Sequence, residues 1–287
     1  MREFSRIGVV GCGLMGSGIA EVCARSGLDV VVVENGAQSL ELGRARIAAA
    51  LDRAVRRGRL TDADREDAIS RLSFAADLAD LADRELVIEA VAEDRDAKTA
   101  VFKRLDEVIP SADVVIASNT SSIPIIDLAV VTSRPAQVVG VHFFNPVPVQ
   151  RLVEVVPTQL TSSLVVEQVT SFAESRLSKT VVRAPDRAGF VVNALLVPYL
   201  VSAVRMLESG VASAEDIDNG MVLGCAHPMG PLRLLDLIGL DTAQSIAESM
   251  YEEFKEPLYA PPPLLRRLVA AGAVGRKSGR GFYSYEK

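Results

Sequence analysis

The chain carries two histidines, and one of them stands in a setting suited to acid–base work. His142 opens a stretch, within VHFFNPVPVQRLVEVV (residues 141–156), where a proline-rich turn is followed by a second apolar run bearing Glu154. Proline restricts the backbone to turn and extended conformations, so the segment predicts a strand that doubles back and brings a carboxylate beside the imidazole. A glutamate that accepts a hydrogen bond from one ring nitrogen fixes the tautomer. It also stabilises the imidazolium formed when the other nitrogen takes a proton. Such a pair is a general base. His227, in CAHPMGP, precedes a proline in a helix-breaking turn and reads as structural.

A second group of polar side chains, SNTSS at 118–122, follows an apolar run at 114–117. Small hydroxyl and amide groups at the end of a strand can hydrogen-bond a ligand oxygen. They also cap helices well, and Ser121 or Ser122 capping the next helix is the equal alternative.

The elements that must hold these residues are legible from spacing. Apolar runs at 6–10, 29–34, 86–89, 114–117, 138–141, 152–156 and 180–183 are mostly valine- or isoleucine-rich and alternate with helix-length segments. That is the pattern of a doubly wound, mostly parallel α/β sheet of Rossmann type, whose ligand cleft opens at the C-terminal ends of the strands, where His142 is expected. Two helical segments, 37–57 and 61–71, joined at Gly58 with Thr61 as N-cap, are an insertion in the alternation. From 186 to 287 strand alternation is lost and amphipathic stretches are broken at Gly210, Pro228, Gly230, Pro231 and 261–263. The expected division is therefore an α/β domain over 1–185 and a smaller all-helical domain over 186–287. The helical part has more apolar surface than its own core needs, notably along 195–206 and 232–238, which points to a homodimer.

What the sheet holds is indicated by GCGLMG, residues 11–16, placed between the first strand and the first helix. Gly11 supplies a tight turn, Gly13 lets backbone N–H groups approach a pyrophosphate, and Gly16 lets the helix pack closely on the strand. Leu14 and Met15 belong to the same loop. The helix presents the positive end of its dipole to the phosphates. About twenty residues on, the second strand ends at Glu34, where a ribose diol would lie; a 2′-phosphate there would meet like charge, so NAD is expected rather than NADP. SNTSS could then also serve the nicotinamide amide, and alcohol oxidation by NAD requires the base already identified. Arg44, Arg46, Arg53, Arg56, Arg57 and Arg59 recur at helical spacing on the inserted pair. By themselves they read as a solvated stripe, with a phosphate-rich ligand as the alternative.

Composition narrows the class. The 287 residues are 49% hydrophobic with a net charge of −6, which fits a folded protein and argues against a general nucleic-acid binder. The apolar stretch at 189–204 is shorter than a bilayer span and contains Asn193 and Pro198, so no membrane role is expected. Cys12, Cys23 and Cys225 are an odd set without CxxC spacing, consistent with reduced thiols, no zinc or other metal site and a cytoplasmic address. Cys12 reads as a small side chain that fits the glycine loop. With the first strand expected from residue 6, no leader peptide is expected.

Taken together, GCGLMGSGIA (11–20), VIEAVAED (87–94), SNTSS (118–122), HFFNPVPV (142–149), LVEVV (152–156), GFVVNALLVPYL (189–200), HPMGPLRLLDLIGLD (227–241) and GRKSGRGFYSY (275–285) strongly resemble the NAD-dependent L-3-hydroxyacyl-CoA dehydrogenase family, and within it the short bacterial 3-hydroxybutyryl-CoA type. The resemblance runs almost end to end. It implies that His142 and Glu154 are the catalytic dyad, and that Ser121 and Asn193 hold the region of the reacting oxygen. It implies that Glu93, Lys98, Ser121 and Asn145 lie along the cofactor cleft. It also implies that Arg53, Arg56 and Arg57 face the CoA phosphates, reversing the solvated-stripe reading, and that dimers form through the helical domain. Two departures stand out: Asp186, Arg187, Ala188, Gly189 and Phe190 occupy the place of a common DTPGF, and Glu34 replaces a more frequent aspartate. Three other readings remain: the same chemistry on a hydroxyacyl or hydroxymalonyl group borne by acyl carrier protein, oxidation of a free sugar acid, and a non-catalytic NAD-binding protein.

Overall fold

The valine-rich runs form one eight-stranded sheet in the computed structural model, which describes residues 3–285. The strands are β1 (Arg6–Val10), β2 (Asp29–Val33), β3 (Leu72–Ala75), β4 (Leu86–Glu89), β5 (Val115–Ser118), β6 (Val138–Phe143), β7 (Leu152–Pro157) and β8 (Thr180–Arg183). Their spatial order is β3-β2-β1-β4-β5-β6-β7-β8, parallel throughout except for the antiparallel pair β6–β7. Ile7, Val9, Val30, Val32, Val87, Ile88, Val115 and Ile116 are fully buried, as strands covered on both faces require. Each such side chain contributes about 1.5–3 kcal/mol relative to exposure.

Helices α1 (Leu14–Arg25), α2 (Ala37–Arg56), α3 (Asp62–Ser70), α4 (Arg95–Val108), α5 (Ile125–Ala129) and α6 (Ser163–Ser171) belong to the same unit. The inserted pair is α2 and α3. Thr61 caps α3 through a reciprocal box, its hydroxyl accepting from Asp64 N and the Asp64 carboxylate accepting from Thr61 N, both at 3.1 Å.

Three features differ from the sequence expectation. Strand β3 was not foreseen: it is a four-residue, half-exposed edge strand that pairs only with β2, so its composition carries little alternation. Strand β6 runs on to Phe143, which places His142 inside a strand rather than at its end. Neither Ser121 nor Ser122 caps α5; the Asp186 carboxylate does, accepting from Ile125 N at 2.7 Å and Ile126 N at 2.8 Å.

That cap ties Asp186 to the α/β unit, and the division between units falls between Asp186 and Arg187, one residue beyond the expected place. The second unit comprises α7 (Val192–Glu208), α8 (Ala214–Cys225), α9 (Pro231–Ile238), α10 (Leu240–Phe254) and α11 (Pro263–Ala270). Gly210 follows α7 with a positive φ, and prolines open α9 and α11, as their sequence positions suggest. Two isolated antiparallel bridges near the C-terminus, Gly275–Arg280 and Arg280–Ser284, are the only β-type pairing among its described residues. No helix among the described residues is long and apolar enough to cross a membrane.

Candidate active site

The strand order reverses at β1, which has β2 on one side and β4 on the other, and a doubly wound sheet opens its ligand crevice there. Gly11 makes the turn with φ +94°, a region that favours glycine, and a Cβ on it would lie 2.7 Å from the Ala90 carbonyl oxygen. A Cβ on Gly16 would come within 1.9 Å of the Gly11 carbonyl oxygen, so α1 can pack this closely only through glycine. Gly13, the N-cap of α1, faces open space, with no side chain capping it and no acidic residue in the first turn. This helix end can accept an anion. Leu14 is exposed beside it, while Met15 packs partly into the core.

Glu34, just past β2, reaches back to this loop. Its Oε2 accepts from Cys12 N at 2.7 Å and its Oε1 from Asn35 N at 3.0 Å, which orients the carboxylate. The Arg46 guanidinium donates to the Cys12 carbonyl at 2.7 Å, and Gly43 of α2 packs against the Cys12 side chain where no Cβ would fit. Burial, with a lesser contribution from Glu34, pushes the Cys12 thiol up to about 11. Such a thiol is unreactive at neutral pH.

His142 and Glu154 face each other in register across β6 and β7. The imidazole Nδ1 lies 2.7 Å from Glu154 Oε2; the carboxylate is fully buried and the His142 side chain is 9% exposed. The Phe144 ring packs on the imidazole with centroids 4.6 Å apart. Asn119 Oδ1 accepts from Phe143 N at 2.8 Å and so fastens the SNTSS loop to the end of β6. Asn119 had not been singled out, although it lies within that motif.

The loop itself is organised by Glu93. Its Oε1 accepts from the Thr120 hydroxyl at 2.5 Å, Ser121 N at 2.9 Å, the Ser121 hydroxyl at 3.3 Å and the Ser122 hydroxyl at 2.9 Å. Burial by itself would raise this carboxyl, but the Lys98 ammonium and these hydrogen bonds outweigh it and hold the group below the ordinary glutamate value. Lys98, expected along the cleft, is 1% exposed; its ammonium contacts Glu89 Oε1 at 2.6 Å, Glu93 Oε2 at 3.3 Å and the Val91 carbonyl at 3.5 Å.

A cavity of about 270 Å³ lies between α1, α2 and residues 145–149. Arg25, Arg46, Arg53, Arg57 and Arg59 line it together with Asn145 and Glu21. Arg46, Arg53 and Arg57 repeat at seven- and four-residue spacing on one helix face, which is why they converge; Arg56 falls outside the lining. Asn193 belongs to the second unit, buried in the first turn of α7.

A glycine turn into an uncapped helix, an acid beyond β2 and a histidine–carboxylate pair on the C-terminal half of the sheet define a dinucleotide-binding protein of the Rossmann class. Residues 6–187 match the 3-hydroxyacyl-CoA dehydrogenase NAD binding domain, and residues 189–285 match the C-terminal domain of the same family. The chain belongs to the 3-hydroxyacyl-CoA dehydrogenase family, and its cofactor is NAD. It is 56% identical over 280 residues to a 3-hydroxybutyryl-CoA dehydrogenase of Mycobacterium tuberculosis, covering 98% of each chain. Among solved structures, FadB2 of M. tuberculosis superposes with a TM-score of 0.98 at 55% identity, covering 99% of this chain and 100% of the other. The (S)-3-hydroxybutyryl-CoA dehydrogenase PaaH1 of Ralstonia eutropha superposes with a TM-score of 0.93 at 44% identity over 99% of this chain and 100% of that one.

Proposed function

We propose that the chain interconverts (S)-3-hydroxyacyl-CoA thioesters, 3-hydroxybutyryl-CoA among them, and 3-ketoacyl-CoA thioesters, with the His142–Glu154 pair as the base. The observation that carries this reading is the 2.7 Å contact between His142 Nδ1 and Glu154 Oε2. A buried carboxylate accepting from Nδ1–H leaves the proton-accepting lone pair on Nε2. That nitrogen takes the substrate hydroxyl proton as the C3 carbinol becomes a ketone, and Glu154 stabilises the imidazolium that results. NAD, when bound, supplies the acceptor for the hydride leaving C3.

The residues present fit that cofactor. The open space at Gly13 and the acid-free first turn of α1 suit a pyrophosphate, and the oriented Glu34 carboxylate suits a ribose diol while opposing a 2′-phosphate. Gly11, Gly13, Leu14, Met15 and Gly16 form the phosphate loop in this reading, and Glu93, Lys98, Ser121 and Asn145 border the nicotinamide side. Ser121 holds the substrate oxygen region, and the family resemblance gives Asn193 a share in that task.

The arginine-lined cavity is assigned to the phosphates of CoA, through Arg53 and Arg57 foremost. Phosphopantetheine on an acyl carrier protein has the same charge, and comparing rates with acetoacetyl-CoA and acetoacetyl carrier protein separates the two. In the helical unit, Leu223 at 82%, Leu195 at 76% and Val211 at 71% exposure support a homodimer formed through that unit, which sedimentation equilibrium tests. A cytoplasmic location completes the reading and is checked by cell fractionation. Activity itself is followed as loss of NADH absorbance with acetoacetyl-CoA; no turnover in that assay would defeat the proposal.

A further inference from the structure

Strand β4 ends on Glu89, a carboxylate with 0% exposure. Its Oε1 accepts from Lys98 Nζ at 2.6 Å and from Val91 N at 2.7 Å, and its Oε2 accepts from the Ser118 hydroxyl at 2.6 Å. One side chain thereby joins the end of β4, the last residue of β5 and the first turns of α4. Lys98 is held between Glu89 and Glu93, and Glu93 in turn grips Ser121 by both its N–H and its hydroxyl. The chain of contacts therefore runs Glu89–Lys98–Glu93–Ser121, with Ser118 and Asn119 closing a second path to β6.

Stability alone does not account for this arrangement. Replacing a buried ion pair with packed apolar side chains is often neutral or stabilising, because desolvation offsets much of the attraction. A fully satisfied buried network does confer one fixed geometry. We propose that Glu89 is a positioning residue: through Lys98 and Ser118 it sets the β4 and β5 ends, and thereby fixes Ser121 in the loop that follows β5, the strand beside the one that carries His142. The inference rests on the reading that Ser121 holds the reacting oxygen region of the substrate.

A double-mutant cycle tests it, with kcat and KM for acetoacetyl-CoA measured in the intact protein, Glu89→Gln, Ser121→Ala and the double variant. Glu89→Gln keeps the size of the side chain, and we expect a fall in kcat of about tenfold with KM changed less than about twofold. In the Ser121→Ala background the same substitution is expected to cost less than about twofold, since the residue it positions is already gone. A merely structural role would give the same loss in both backgrounds, and that result overturns the proposal while leaving Ser121 its role. Full turnover by Ser121→Ala removes both together. If Glu89→Gln does not fold, Ser118→Ala deletes the hydrogen bond to Oε2, together with the one that Ser118 Oγ accepts from Thr120 N at 3.2 Å, and enters the same cycle, with an expected loss of about threefold that vanishes beside Ser121→Ala. An additive loss there also overturns the proposal.

Discussion

His142 and Glu154 lie directly opposite one another on antiparallel strands, with Nδ1 and Oε2 2.7 Å apart, although twelve residues separate them in the chain. The reversal between β6 and β7 is the only antiparallel pairing in the sheet, and it is what makes the contact. Had the chain crossed over to a parallel strand, as elsewhere, the imidazole and this carboxylate would not share a register position.

Removing the base is expected to lower turnover without loosening the cofactor. His142→Ala and Glu154→Gln should each reduce kcat by roughly 10²- to 10⁴-fold, with NADH affinity by fluorescence titration nearly unchanged. Full turnover in either variant contradicts the dyad.

Charge reversal in the cavity separates carrier recognition from chemistry. Arg53→Glu or Arg57→Glu should raise KM for acetoacetyl-CoA about tenfold or more with kcat little changed, whereas the N-acetylcysteamine thioester, which lacks the nucleotide, should be unaffected. The effect should weaken as ionic strength rises, because these contacts are screened. Equal losses on both substrates would show that the arginines do something other than hold phosphate.

The order of the SNTSS loop should depend on pH in the acid range. The Glu93 carboxyl titrates below its ordinary value of 4.5 in the folded protein, so its stabilising contribution is complete above that value and is lost as pH falls through the depressed one. Protection of the Ser121 and Ser122 amides against hydrogen exchange, relative to the intrinsic rate at each pH, should therefore be level above about pH 4.5 and fall below it, and Glu93→Gln should abolish that dependence.

Thiol reagents should discriminate among the cysteines. Burial pushes Cys12 up to about 11 and Cys23 up to about 12, while Cys225 is exposed. Iodoacetamide at pH 7.5 should modify Cys225 in the native protein, leave the other two intact by mass spectrometry, and spare activity.

Gly16→Ala should be severely disruptive, since the new methyl would overlap the Gly11 carbonyl oxygen and can be accommodated only by moving α1 away from the phosphate loop. Overpacking of this kind costs about 1–3 kcal/mol, read as a lower unfolding midpoint, and NADH affinity should fall at least about tenfold.

Much of this was legible from residues alone. Valine-rich runs announced the sheet because strands buried on both faces need apolar side chains throughout, and the glycine spacing announced the turn because only glycine fits where α1 meets Gly11. The edge strand β3 escaped notice because a half-exposed four-residue strand needs few of those residues. The helix cap on α5 escaped notice because its donor groups and Asp186 lie about sixty residues apart, beyond the reach of any local pattern.

Sequence by itself determined the types of chemical group available and the alternation of strands and helices apart from β3, because these follow from local spacing and composition, and its motifs carried the family resemblance. Only the tertiary structure decided which charges are buried together, as Glu89, Lys98 and Glu93 are, and which arginines of one helix line a cavity. The physical reason is that desolvation and hydrogen-bond geometry depend on what surrounds a group in space, and neighbours in the chain supply little of that surrounding.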